Sequence, residues 1–230
     1  MWPYCEIMTT VVNIGTLECV CAKQSNNRIA YILYPIACIG NWIVEAARRY
    51  GITIVVITGI DWADDLTPWE ASPVRRGAKN FAGHAAHFLH RLRSEVVPAV
   101  ESQLAMSLHP YRVLAGVSLG ALFALWQWTQ CDTFTSIACL SGAFWYKGFV
   151  SWFYRHLPRK KKGKAYFSIG MSEGDSREAD TRHLQADTRE IVGDLESRGI
   201  DARMCLEPAC EHQYSPYRFN AALSTLYSLP

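Results

Sequence analysis

Short, continuous apolar runs alternate with helical stretches along most of this chain, and that alternation limits the fold more than any other feature. "RIAYILY" (28–34) is followed by "NWIVEAARRYG" (41–51) and then by "ITIVVITGI" (52–60). A long helical stretch, "GHAAHFLHRLRSEVVPAVESQL" (83–104), is expected to kink or break at Pro98, which lacks an N–H. "YRVLAGV" (111–117), "FTSIACLSG" (134–142), "KAYFSIG" (164–170) and "IDARMCLEP" (200–208) read as further strands, with helices at 119–130 and 177–199. Strands apolar along their whole length belong to a parallel sheet covered by helices on both faces. At the amino end "EIMTTVVN" (6–13) and "TLECVCA" (16–22) read as two strands joined at Asn13-Ile14-Gly15, an antiparallel edge. No repeat, low-complexity segment or linker interrupts the pattern. The expectation is an α/β fold: residues 1–230 as one domain on a single doubly wound, mostly parallel sheet, with little or no lid.

Half of the 230 residues are apolar, enough for a core without disulfide staples. A net charge of +2 gives no reason to expect nucleic acid, and the one basic run, Arg159 to Lys162 with Lys164, reads as a solvated loop between Pro158 and Gly163. The eight cysteines include no Cys-x-x-Cys pair. Cys19 and Cys21 share one strand face, and Cys205 and Cys210 lack the second pair that a tetrahedral metal site needs. Buried reduced thiols are expected, with no metal and no cofactor. The start "MWPYCEIMTT" has no secretory pattern, and no apolar run reaches spanning length without a Pro or a charge, so a cytoplasmic location and no membrane partner are expected.

Gly-x-Ser-x-Gly occurs twice, as "GVSLG" (116–120) and "GMSEG" (170–174). A nucleophile elbow is a sharp turn between strand and helix, and glycines are needed where neighbouring backbones come too close for a Cβ. Ser118 meets those demands: a buried strand leads in, and a helix of small and apolar residues follows, its N-terminus pointed at a developing oxyanion. Ser172 is followed by the polar "DSREADTRH" (175–183) and leaves one strand for the partners. Ser118 is therefore the expected nucleophile.

A serine hydroxyl needs a base to take its proton and a third group to orient that base. His84, His87 and His90 are three apart on a helix with no interleaved carboxylate and read as a solvated or partly buried face. His109 and His156 adjoin prolines in loops, and His183 lies on the last amphipathic helix. His212, in "PACEHQY" directly after the last strand, is the expected base. The acid should follow "KAYFSIG", which leaves Glu173 and Asp175 as candidates and makes "GMSEG" the acid loop.

With these residues placed, five segments in order resemble the esterase family of α/β-hydrolases, most closely its enterobactin and salmochelin esterase branch. They are "DDLTPW" (64–69), "AKNFAGHAAHFLHRLRSEVVPAVE" (78–101), "LAGVSLGALFALW" (114–126), "LSGAFWY" (140–146) and "EHQY" (211–214). The resemblance implies the α/β-hydrolase fold and a serine hydrolase acting on a small-molecule ester, in that branch a siderophore ester. It implies an oxyanion hole from the Leu119 N–H and a second N–H after "AYILY". Pro35 has none to give, so Ile36 or Ala37 is the expected donor. Asp64 stands where that branch often carries Arg, which argues against an anionic ferric siderophore. Trp62, Trp69, Trp145 and Tyr146 are candidates for an apolar or aromatic acyl pocket. The rival readings are an acyltransferase or cyclase on the same residues, and a non-catalytic binding protein on the same fold.

Overall fold

A computed structural model describes residues 9–35, 40–73, 77–157, 161–173, 183–208 and 216–227. Its eight strands are β1 (Thr9–Ile14), β2 (Leu17–Ala22), β3 (Arg28–Leu33), β4 (Thr53–Thr58), β5 (Tyr111–Val117), β6 (Ser136–Leu140), β7 (Lys164–Gly170) and β8 (Asp201–Glu207). They form one sheet in the order β1-β2-β4-β3-β5-β6-β7-β8. β3 to β8 run parallel, and β1 and β2 make the antiparallel edge expected of the amino end. This is the α/β arrangement that the alternating apolar runs demanded.

The helices are α1 (Trp42–Tyr50), α2 (Trp62–Asp65), α3 (Ala85–Arg91), α4 (Val97–Gln103), α5 (Leu119–Gln130), α6 (Phe149–His156), α7 (Leu184–Ser197) and α8 (Pro216–Tyr227). Every residue of β4 is buried, because helices cover both faces of the sheet. Period-two alternation divides the strands between two cores. Ile29, Tyr31, Leu33, Val55 and Ile57 pack with α3, α4 and α5 on one side, while Ala30, Ile32, Ile54 and Val56 pack with α1 and α8 on the other. The order reverses at β3, between β4 and β5, so a crevice opens beyond the carboxyl ends of β3 and β5, where open α/β sheets bind ligands.

The structure departs from the sequence reading in several places. The break near Pro98 is a π-helical turn at Leu92–Val96 joining α3 to α4; one extra residue in the turn re-routes the hydrogen bonds ahead of a ring that cannot donate. α6 and α8 are helices that the alternation had not marked. His156, expected in a loop beside Pro158, ends α6 instead, with its ring stacked 4.4 Å from Trp152. His183 caps α7 rather than lying within it. Lys161, expected in a solvated run, is 4% exposed in its side chain and bonds to the Cys131 carbonyl at 2.8 Å and the Asp132 carboxylate at 2.7 Å.

His84, His87 and His90 are exposed. Among the described residues no group of three His, Cys, Asp or Glu is arranged to hold a metal, and no helix is long and apolar enough to cross a membrane. Cys19, Cys21 and Cys139 are buried free thiols, and desolvation pushes Cys19 and Cys21 up to about 12.

Candidate active site

β5 ends in the turn that carries Ser118, and the turn is strained. Ser118 has φ 56° and ψ −121°, a backbone region that side chains rarely enter and that costs on the order of 1–3 kcal/mol unless neighbours enforce it. Its N–H donates to the Leu140 carbonyl at 3.0 Å, and its carbonyl accepts from Ala121 and Leu122 at 3.0 Å and from Ala143 at 3.1 Å. α5 packs so closely behind the turn that a Cβ on Gly116 would lie 2.4 Å from the backbone carbon of Gly120. A Cβ on Gly120 would meet only the Trp62 ring at 3.4 Å and the Leu33 side chain at 3.5 Å. The strict requirement for glycine therefore falls on Gly116. Leu119 opens α5, so its N–H has no acceptor within the helix and points out at the turn.

The second copy of the pattern has no such backbone. Among the described residues Ser172 does not share the positive φ of Ser118, it is exposed, and α7 starts only at Leu184. Next to it Glu173 is 8% exposed, its carboxylate turned back onto the end of β7. Oε1 of Glu173 accepts from the Gly170 N–H at 2.9 Å and from the Ser141 hydroxyl at 2.5 Å, with Nη1 of Arg218 at 3.5 Å. Asp175, His212, Ile36 and Ala37 lie outside the described residues. The structure thus places Ser118 and Leu119 after β5 and Glu173 after β7, on the carboxyl edge of the sheet with β6 between them.

Ser141 and Arg218 were not among the residues singled out in the sequence. Ser141 follows β6 with φ 45°, buried, and donates its N–H to the Ser168 carbonyl at 2.7 Å. Arg218 is fully buried and donates from Nη1 to the Ser141 hydroxyl at 2.6 Å and from Nη2 to the Ser168 hydroxyl at 2.8 Å. A signal for it existed. In "PYRFNAALSTLY" Arg218 shares the face of Ala222, one turn on, so a charge sits on the apolar stripe and must find a buried partner.

The four expected pocket residues sit on the segments after β4 and β6. Trp62 covers Gly120, as the 3.4 Å approach shows. Trp69 stands 5.8 Å from the Tyr146 ring and 5.7 Å from Trp152, and its indole N–H donates to the Lys147 carbonyl at 3.0 Å. Tyr146 is 1% exposed and donates its hydroxyl to the Trp69 carbonyl. Trp145 packs on Phe81 at 6.3 Å. A pocket of about 540 Å³ opens beside this wall, lined by Asp64, Glu70, Lys79, Asn80, Phe81 and Lys147 among others. Lys79 bridges Asp61 at 3.1 Å and Asp64 at 2.6 Å, one cation shared between two carboxylates.

Comparison with known proteins agrees with this geometry. Residues 33–226 match the family described as Putative esterase. The uncharacterized protein YbbA of Bacillus subtilis (strain 168) is 27% identical over 195 residues, covering 80% of this chain and 77% of that protein. The siderophore hydrolase EstB from Aspergillus nidulans superposes with a TM-score of 0.69 at 18% identity, over 95% of this chain and 94% of that one. An IroE-like serine hydrolase from Shewanella oneidensis superposes with a TM-score of 0.75 at 16% identity, over 96% of this chain and 78% of that one. At these identities the two structures share the fold.

Proposed function

Because this chain belongs to the esterase family, which it matches over residues 33–226, we propose that it is a serine ester hydrolase acting through an acyl-enzyme on Ser118, in one α/β-hydrolase domain. The observation that carries this reading is the elbow itself: Ser118 holds φ 56° at the N-terminus of a buried helix, enforced by the contact of Gly116 with Gly120. Oγ of Ser118 attacks the ester carbonyl while His212 takes its proton, and the oxyanion forms against the Leu119 N–H and a second N–H at Ile36 or Ala37. The tetrahedral intermediate collapses, His212 gives the proton to the leaving alcohol, and the acyl group stays on Ser118. Water then attacks the acyl-enzyme with His212 again as base, releasing the carboxylic acid and restoring the hydroxyl.

Glu173 is our choice for the acid over Asp175. Its carboxylate is buried at the end of β7 and held at Oε1 by hydrogen bonds from the Gly170 N–H at 2.9 Å and the Ser141 hydroxyl at 2.5 Å, as an orienting group should be. The substrate is a small-molecule ester; Trp62, packed on Gly120 of the elbow, supports an apolar or aromatic acyl part, whereas Tyr146 is buried and packs inward. A siderophore-type or other secondary-metabolite ester fits, in line with the siderophore hydrolase of like fold.

The test is hydrolysis of p-nitrophenyl butyrate and of a triserine lactone by the parent and by Ser118→Ala. Turnover by the parent and its loss in the variant support the reading. One observation favours a second reading: Pro35, at the end of β3, removes a donor where the hole needs one. If the folded parent hydrolyses neither ester, a binding role on this fold takes first place.

A further inference from the structure

Arg218 is a cation with no exposed surface, and burying it is costly unless the site returns what water gave. The site returns part of it through three contacts at the two Nη atoms, while Nε stays buried without a hydrogen-bond partner among the described residues. Nη1 donates to Ser141 at 2.6 Å, Nη2 to Ser168 at 2.8 Å, and Nη1 stands 3.5 Å from Oε1 of Glu173. Those partners come from the turn after β6, from β7, and from the loop after β7, and α8, which carries Arg218, begins directly after the segment holding His212. One guanidinium thus ties α8 to the elements that flank Glu173. The hydroxyl of Ser141 lies between the charges, accepting from Arg218 and donating to Glu173.

We propose that Arg218 is a positioning residue of the active site: its ion pair with Glu173 and its hydrogen bonds to Ser141 and Ser168 fix the Glu173 carboxylate at the end of β7. The proposal rests on the reading of Glu173 as the acid. Other titratable groups face the same space: Tyr166 on β7, and Cys205 and Glu207 on β8, of which Tyr166 and Cys205 feel the Arg218 charge. Glu207 is also buried, yet among the described residues Glu173 is the carboxylate within ion-pair reach of Arg218. Without the cation a buried carboxyl takes up a proton more readily, and a neutral acid no longer stabilises the imidazolium that forms on His212.

The test compares Arg218→Met, Arg218→Lys, Glu173→Gln and the Arg218→Met/Glu173→Gln pair. Each is measured for kcat, KM and the pH profile of kcat/KM on p-nitrophenyl butyrate, with circular dichroism to show the folded fraction. Arg218→Met should lower kcat at least about thirtyfold with KM within about threefold, and move the acid limb of the profile up by about one pH unit. Arg218→Lys keeps the charge but not the fork and should fall between; it carries the same comparison if Arg218→Met does not fold. In the Glu173→Gln background Arg218→Met should change kcat by less than about threefold, since the two act as a unit. An unmoved acid limb in a folded Arg218 variant, or an equal loss in both backgrounds, overturns the positioning role and leaves Glu173 as the acid. An unchanged kcat in Glu173→Gln overturns the reading of Glu173 itself, and the proposal with it.

Discussion

The chain contains one five-residue pattern twice, and the described backbone of the two copies differs. Gly116 to Gly120 and Gly170 to Gly174 both follow buried parallel strands of the same sheet. Behind the first copy the chain turns at once into α5, buried from Leu119 to Trp128, and the helix presses Gly120 against Gly116 and forces Ser118 to φ 56°. In the second copy Ser172 is exposed, and the residue after it, Glu173, is the one turned into the protein. The pattern alone does not make an elbow. The first copy has a helix packed immediately behind its turn, and that packing goes with the positive φ of Ser118, which Ser172 does not share.

Four experiments probe that difference. The largest effect should come from Ser118→Ala, which is expected to cut kcat/KM on a p-nitrophenyl ester at least about ten-thousandfold, whereas Ser172→Ala should stay within about twofold. Glu173→Gln comes next: kcat should fall about a hundredfold or more, and stability in urea should drop by about 3 kcal/mol, because Arg218 is left with its charge buried. Within the elbow the two glycines should differ. Gly116→Ala, facing the 2.4 Å approach, should cost about 2–4 kcal/mol, while Gly120→Ala should stay within about 1 kcal/mol, as seen in thermal or urea unfolding. Smallest is the response of the thiols under the sheet. With Cys19 and Cys21 pushed up to about 12, both stay protonated at pH 8, and a thiol reagent should modify them only on unfolding.

What could be read from the sequence follows from which forces are local. The strands were legible because burial on both faces leaves nothing but apolar side chains, as in β4, and α5 because small residues follow a glycine-flanked turn. α8 was not, since Arg218 interrupts its apolar stripe, and the partners that make a charge tolerable there, Ser141 and Ser168, lie far off in the chain. α6 escaped because "FVSWFYRH" is aromatic and β-branched, a composition that suits a strand as well as a helix until Phe149 and Phe153 find the core. Likewise Glu173 and Asp175 are equivalent in the sequence. The contacts of Glu173, the Gly170 N–H and a hydroxyl from the turn after β6, depend on residues brought together only in the fold.

The central claim, that Ser118 and not Ser172 is the nucleophile, is tested most directly by treating the protein with a fluorophosphonate probe and mapping the adduct by peptide mass spectrometry. The adduct is expected on the peptide containing Ser118, with none in the Ser118→Ala variant. An adduct on the Ser172 peptide, or a folded protein that takes up no probe, would contradict the account.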